Sequence, residues 1–429
     1  MQIHVVKAGE TLSAIARLYN ADSVLIARYN GLRAPYPLAV GQSLIIPDPE
    51  VTTIAQKGDT LYAIAQRFKV SVLQLLRLNP QLDGTSALNE GDTLVISLKN
   101  QGYRPVELLG YAYPNADPAL LRSVLPFATY LAPFTHGIAA DGTLVAPMDD
   151  TLLRLARQYN AVPLLHLSTL TEEGRFSTGR AQTVLDAPAL QDALIESVIR
   201  RMESEGYRGL DVDFEFLGAA NAAAYAAFLS KLRDAVNAHG WELFAALPPK
   251  TSRTQSGILY EGHDYAAIAK NADAVLLMTY EWGYTYGPPM AVAPIGSVRR
   301  VLDFAKTELP MQKVFLGFPN YGYDWTLPYE AGSTKAQSIS NEYAPLLAAK
   351  MRAEIRYDET AQAPYFYYTA SDGAVHEVWF EDARSTQAKL ALVPEYDLRG
   401  LGVWHLGRPF TTAYLQMVQQ FDLVKAKQA

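Results

Sequence analysis

Residues 209–216 read GLDVDFEF, where Asp211, Asp213 and Glu215 alternate with Leu210, Val212, Phe214 and Phe216. Successive side chains of a strand point to opposite faces, so the three acids share one face, about 6.6 Å apart per pair. An exposed amphipathic strand shows the same alternation. This run, however, lies between two apolar helical stretches, which predicts a buried parallel strand with its apolar face on helices and its acids turned inward. Three carboxylates in a semi-enclosed site repel one another, and at least one pKa rises toward the range a general acid needs near neutral pH. The chemistry to expect is proton transfer by paired carboxylates.

Composition removes the main competitors. The 429 residues contain no Cys, which excludes thiol catalysis, disulfides and thiolate metal sites. Seven His are scattered with no two at metal-ligand spacing, and neither a metal nor a cofactor is expected. His166, on an apolar run, reads as a core histidine without a role. Lys plus Arg is 37 against 44 for Asp plus Glu, a net charge of −7 that gives no general attraction for nucleic acid. The first twenty residues have no apolar export core, because Lys7, Glu10 and Arg17 interrupt them. No later stretch approaches the roughly 18 apolar residues of a membrane span. A monomer is expected.

The acidic run is one of eight strand-like runs, at 107–113, 128–134, 162–170, 209–216, 242–248, 274–282, 314–322 and 400–407, with amphipathic helical stretches between them. Eight such steps predict an α/β fold, a (β/α)8 barrel, over residues 104–425. A doubly wound open sheet is the alternative, but no dinucleotide or P-loop glycine pattern supports it. In a barrel, Glu215 at strand four, Tyr280 and Glu281 at strand six, Tyr321 at strand seven and Trp404 at strand eight all reach the C-terminal mouth. Before the last strand lies an unusually long connection. In it, Asp372-Gly373 separates two β-prone runs and predicts a hairpin within a small α+β insertion, about 323–395.

The N-terminal third is a duplication. IHVVKAGETLSAIARLYN is followed 49 residues later by TTIAQKGDTLYAIAQRFKV: Gly9 matches Gly58, Thr11 matches Thr60 and Asn30 matches Asn79. Gly41 matches Gly91 at an offset of 50, which implies one inserted loop residue. Each unit predicts a βααβ module, at 2–47 and 52–97. Residues 97–106, SLKNQGYRPV, read as a linker.

These features carry two resemblances. Gly9-Glu10-Thr11-Leu12 with Asn30, and Gly58-Asp59-Thr60-Leu61 with Asn79, resemble LysM modules, which implies binding of glycans containing N-acetylglucosamine through the loops after the first strand and before the last. On residue type alone, the Gly, Thr and Asn positions are equally turn and cap residues. The segment 208–215 resembles the D-x-x-D-x-D-x-E motif of family 18 glycoside hydrolases. Met278-Thr279-Tyr280-Glu281 is similar to the family's Met-x-Tyr-Asp element, and Trp404 to the Trp of its last strand. Arg208 stands where the motif has its first Asp, and Glu281 where the family has Asp.

The resemblance implies a retaining β-N-acetylglucosaminidase using substrate-assisted catalysis. Glu215 would be acid and base, Asp213 would orient and charge-stabilise the acetamido group with Asp211 passing charge or a proton to it, and Tyr280 would donate to the acetamido oxygen. Trp404, Glu281, Met278, Tyr321 and Tyr111 would bind substrate. The runs MTYEWG, PPMAVAPIG, YGYDWTLPY and HEVWFEDARS are most similar to the LysM-bearing branch that degrades spore-cortex peptidoglycan. Peptidoglycan is therefore the expected substrate and spore or cell wall the expected location. Chitin, or a non-hydrolytic glycan-binding role, are the alternatives. Through the linker, the modules would raise the local concentration of the barrel on an insoluble polymer.

Overall fold

The computed structural model describes residues 1–82, 88–171 and 177–426. Part of the loop before the last strand of the second module, at 83–87, falls outside the described residues.

Eight strands pair in parallel, and the last pairs with the first, so the sheet closes. They are β1 (Pro105–Ala112), β2 (Tyr130–Pro133), β3 (Val162–Ser168), β4 (Gly209–Asp213), β5 (Glu242–Leu247), β6 (Ala274–Leu277), β7 (Val314–Pro319) and β8 (Gly400–Trp404). Alternation sorts their side chains as a barrel requires. Leu210 and Val212 pack outward into the core shared with the helices, while Leu109, Tyr111, Tyr130, Leu164, Phe244, Leu276 and Phe315 fill the interior. The helices Pro188–Glu205 and Ala222–Asn237, the two apolar stretches that flank β4 in sequence, pack on each other and share the outer core with Leu210 and Val212.

Between β7 and β8 stands a five-stranded antiparallel sheet, Gly322–Trp379, with the helix Tyr343–Met351 sharing its core. Its hairpin joins Ala363–Thr369 to Val375–Trp379 around Asp372-Gly373. The next helix, Ala383–Glu395, packs on the last barrel helix, Thr411–Gln420. It is the barrel's own seventh helix, so the added unit ends before 383 rather than at 395.

Each N-terminal module has the expected βααβ order: Gln2–Val5, Leu12–Leu18, Ser23–Tyr29 and Ser43–Ile46, then Pro49–Ile54, Leu61–Phe68, Val72–Leu78 and Thr93–Leu98. The repeated residues have structural work inside the modules. Thr11 and Thr60 accept from the amides of Ala14 and Ala63 as N-caps, and Gly9 and Gly58 make left-handed turns at φ 79° and 87°. Asn30 and Asn79 are buried. The Asn79 amide donates to the carbonyls of Leu75 and Val95 and accepts from the Val95 amide, each at 2.8 Å, and Asn30 repeats this with Ile26 and Ile45. This corrects the expectation that Asn30 and Asn79 serve the sugar groove: every bond they make is internal. Asn79→Ala strands one amide and two carbonyls, and should cost about 2–4 kcal/mol in urea unfolding. A loss below about 0.5 kcal/mol would mean that water or backbone relaxation replaces the bonds.

The modules are not on a free tether. Ala39 of the first module lies in the core of the inserted sheet, and the Ile355 amide donates to the Val40 carbonyl at 2.8 Å. Arg384 reaches the Gly41 carbonyl at 3.2 Å. The Tyr29 hydroxyl donates to the Leu78 carbonyl, joining the two modules, and Arg77 of the second donates to the Pro126 carbonyl at 2.9 Å. The expected linker is itself held, because Gln419 donates to the carbonyls of Lys99 and Asn100 and accepts at its own carbonyl from Gly102. Modules, barrel and insertion share packed and hydrogen-bonded boundaries.

Candidate active site

A cavity of about 360 Å³ opens at the C-terminal end of the barrel. Asp213, Glu215, Tyr280, Glu281, Met278, Trp404 and Tyr111 all line it. Tyr321 follows β7 and reaches the site through Glu281. Arg208 is exposed just before β4, at the opposite end of that strand from Glu215, so its departure from the motif leaves the cavity intact.

Asp211 is fully buried, and one of its oxygens accepts from the Tyr111 hydroxyl and meets His166 Nδ1, each at 2.9 Å. The other ring nitrogen of His166 lies 3.7 Å from Asp213. His166 therefore bridges the two aspartates, which corrects its reading as a core histidine without a role. The signal was in the register: His166 and Asp211 are Cα partners across the β3–β4 pair, so both point inward at one level. The partner strand's alignment, rather than local composition, carried it.

The carboxylates are electrostatically crowded. Burial, with the charges of Glu215 and Asp211 added, lifts the Asp213 carboxyl to about 8 against the opposing pull of His166. Burial and the nearby Glu281 raise Glu215 as well. Asp213 Oδ1 is buried without a hydrogen-bond partner among the described residues. Glu281 is also raised by its withdrawal from water, although the hydroxyls of Tyr321 and Tyr323 donate to its carboxylate and oppose that rise. Tyr323 has no counterpart in the sequence reading, which passed over it as one Tyr among 26. For Tyr280, burial first and then four surrounding carboxylates hold the hydroxyl well above its usual 10.0, so it stays a donor.

Trp404 is half-buried, and Phe134, Tyr111 and Tyr113 pack on it at ring distances of 4.7, 5.6 and 5.8 Å. Fixed on three sides, the indole forms one apolar wall of a cavity whose polar lining includes Asp213, Glu215, Glu281 and Tyr280. Such an apolar platform beside hydrogen-bonding groups suits a pyranose ring. Among the described residues no three His, Asp or Glu gather as metal ligands.

Comparison with known proteins defines the class. The family described as Glycosyl hydrolases family 18 matches residues 169–408, more than half of the chain, and LysM domains match residues 4–47 and 54–97. The chain belongs to glycoside hydrolase family 18 and is an enzyme of that class with two N-terminal LysM domains. It is similar to the cortical fragment-lytic enzymes of Bacillus subtilis (strain 168), 40% identical over 99% of both chains, and Bacillus anthracis, 37% identical over 99% of both. The solved structure of the spore cortex-lytic enzyme SleL of Bacillus megaterium QM B1551 superposes with a TM-score of 0.83, at 37% identity over 99% of both chains. A chitinase from Chromobacterium violaceum ATCC 12472, at 24% identity and a TM-score of 0.68 over 73% of this chain and 98% of its own, shares the fold.

Proposed function

We propose that the protein is a retaining β-N-acetylglucosaminidase that cleaves peptidoglycan glycan of the cortex type by substrate-assisted catalysis. The observation that carries this reading is the buried Asp213, with an unpartnered oxygen beside Glu215 in a cavity walled by Trp404. Glu215, half-buried and raised, donates its proton to the glycosidic oxygen. A carboxylate nucleophile is poorly provided for, since Glu281 is engaged by two tyrosine hydroxyls and Asp211 by Tyr111 and His166.

The nucleophile is then the substrate's own 2-acetamido oxygen, as the family resemblance implies. It attacks C1 as the leaving sugar departs and closes an oxazolinium ring. Asp213 accepts the acetamido N–H at its free oxygen, and Asp211, anchored by Tyr111 and His166, adds negative charge behind it that favours the positive oxazolinium ring. Tyr280 donates to the acetamido oxygen and aligns it with C1. Glu215, now ionised, takes a proton from water, whose oxygen attacks C1 from the vacated side. The ring reopens with configuration retained.

Support for peptidoglycan over chitin comes from the relatives that match from end to end: those named for cortex lysis span 99% of this chain, whereas the chitinase likeness spans 73% at lower identity. The LysM modules would hold the same polymer, placing the enzyme at the spore or cell wall, where a single chain suffices.

Purified cortex peptidoglycan and chitin, digested side by side and followed by mass spectrometry and anomeric NMR, test the proposal. Fragments with N-acetylglucosamine at the new reducing end, released first as the β-anomer and mainly from cortex, are expected. Turnover of chitin alone would overturn the substrate, and release of the α-anomer would overturn retention.

A further inference from the structure

The peptide that leads into Glu215 is held from outside its own strand. The β4 ladder ends at Asp213, and the Phe214 carbonyl, on the peptide unit it shares with the Glu215 nitrogen, lies beyond it. His263, just before the helix Tyr265–Asn271, meets that carbonyl with Nε2 at 2.8 Å. A carbonyl only accepts, so Nε2 carries the proton. His263 is buried, and burial lowers its pKa to about 4, which keeps the ring neutral near pH 7. The ring is fixed in turn. Tyr225 meets it edge-on at 5.7 Å between centroids and stacks on Phe214, and the buried Lys250 donates to the His263 carbonyl at 2.8 Å.

The backbone just after the acid is strained. Phe216 is left-handed at φ 56°, a region that bulky side chains rarely adopt, and Gly218 follows at φ 68°. Such a turn persists only where its surroundings hold it. The segment 257–263, after β5, supplies that hold. The Gly218 amide donates to the Ile258 carbonyl at 3.3 Å, and Gly262 approaches so closely that a methyl there would lie 2.5 Å from Leu217 Cβ. The same segment sends Leu259 and Tyr260 into the wall of the cavity. Without the His263 donor, a buried carbonyl is stranded, and its peptide plane turns toward another partner with Glu215 attached. A displacement of about 1 Å at a reacting group costs on the order of 100-fold in rate.

We propose that His263 is a positioning residue for Glu215, whose Nε2–H fixes the peptide plane from which the acid reaches the glycosidic oxygen. The inference rests on the reading of Glu215 as general acid given above. His263 lies behind the cavity wall rather than in it, so it acts through Glu215 and not on the sugar. That role has its own kinetic mark: the damage from losing His263 grows with the leaving group's need for a proton. A merely structural role would slow every substrate alike.

The test measures kcat/KM, which reports the steps up to departure of the leaving group, on two aryl β-glycosides of one soluble oligosaccharide ending in N-acetylglucosamine. Phenol leaves poorly and needs the proton of Glu215, whereas dinitrophenol leaves without it. His263→Phe keeps a ring and loses the donor. His263→Asn, whose amide falls short of the carbonyl, is a second variant without the bond, and the longer amide of His263→Gln can take the place of Nε2. His263→Phe and His263→Asn should lose about 30- to 100-fold on the phenyl glycoside but less than about three-fold on the dinitrophenyl glycoside. His263→Gln should recover most of the phenyl activity, and Glu215→Gln should show a larger split of the same kind. Each split is a ratio within one variant, so a fraction of misfolded protein cancels. Equal losses on both glycosides in the two donor-less variants, or a His263→Gln enzyme as split as they are, overturn the role of His263 while a split in Glu215→Gln leaves the acid standing. Equal losses on both glycosides in Glu215→Gln overturn the acid and His263 together.

Discussion

Glu215→Gln should lower kcat by about three to four orders of magnitude while leaving retention on the glycan close to that of the wild type. The amide keeps the shape and polarity of the side chain but can neither give the proton that frees the leaving sugar nor take one from the incoming water. In the proposed mechanism Glu215 serves both half-reactions, so neither step bypasses the loss. Release of reducing ends from soluble cortex fragments, with co-sedimentation on insoluble wall, separates the two properties. Turnover near the wild-type rate would falsify the assignment of the acid.

The pH dependence has a defined sign. Burial and the Glu281 charge raise the Glu215 pKa, so the acid form persists toward neutral pH and is lost as pH rises through that raised value. Wild-type kcat/KM should therefore fall on its alkaline side. The residual activity of Glu215→Gln should lack that limb, because the titrating group has gone.

Gly41→Ala should destabilise the chain far more than Gly91→Ala, although the two glycines occupy equivalent places in the repeat. Both have left-handed backbones, at φ 83° and 90°, and both variants lose about 1–2 kcal/mol for that reason. A methyl at Gly91 meets nothing within 4 Å. At Gly41 it would lie 1.8 Å from the Ile355 carbonyl oxygen, inside the seam between the first module and the inserted sheet. Relieving that overlap costs a further about 1–3 kcal/mol and lifts Ala39 out of the insertion's core. Urea unfolding of the two variants reads the difference directly, and equal losses would mean that the module is only loosely apposed. The seam also changes what truncation reports. Removing residues 1–96 strips Ala39 and Tyr29 from shared cores, so lost activity after such a deletion reflects exposed apolar surface as well as lost anchoring.

Local pattern carried the barrel and half of its site. Period-two alternation put Asp211 and Asp213 on the inward face of one strand because strand geometry is local, and the 49-residue repeat exposed both modules because duplication is visible without structure. Asp372-Gly373 marked its hairpin for the same reason. Contacts between distant segments left no such trace. His166 gained its place from the β3–β4 register, and Tyr323 from a strand of the insertion, where its hydroxyl reaches Glu281. Asn30 and Asn79 show the reverse error: a repeated polar residue in a binding module invites a binding role, yet their amides are spent on the modules' own backbone.

The held segment between Leu98 and Pro105 alters how the enzyme meets a solid. On a flexible chain, the reach of a catalytic domain around its anchor is set by tether length, and every bond within that radius is accessible in time. Here the span from module to cleft is a constant, fixed by Gln419, Gly102 and the Gly41 seam. Under the proposed function, a strand gripped by the modules would meet the cleft at one offset or not at all. Progress along a stiff polymer would then require letting go and gripping again, with the step dictated by the rigid frame rather than by diffusion on a leash.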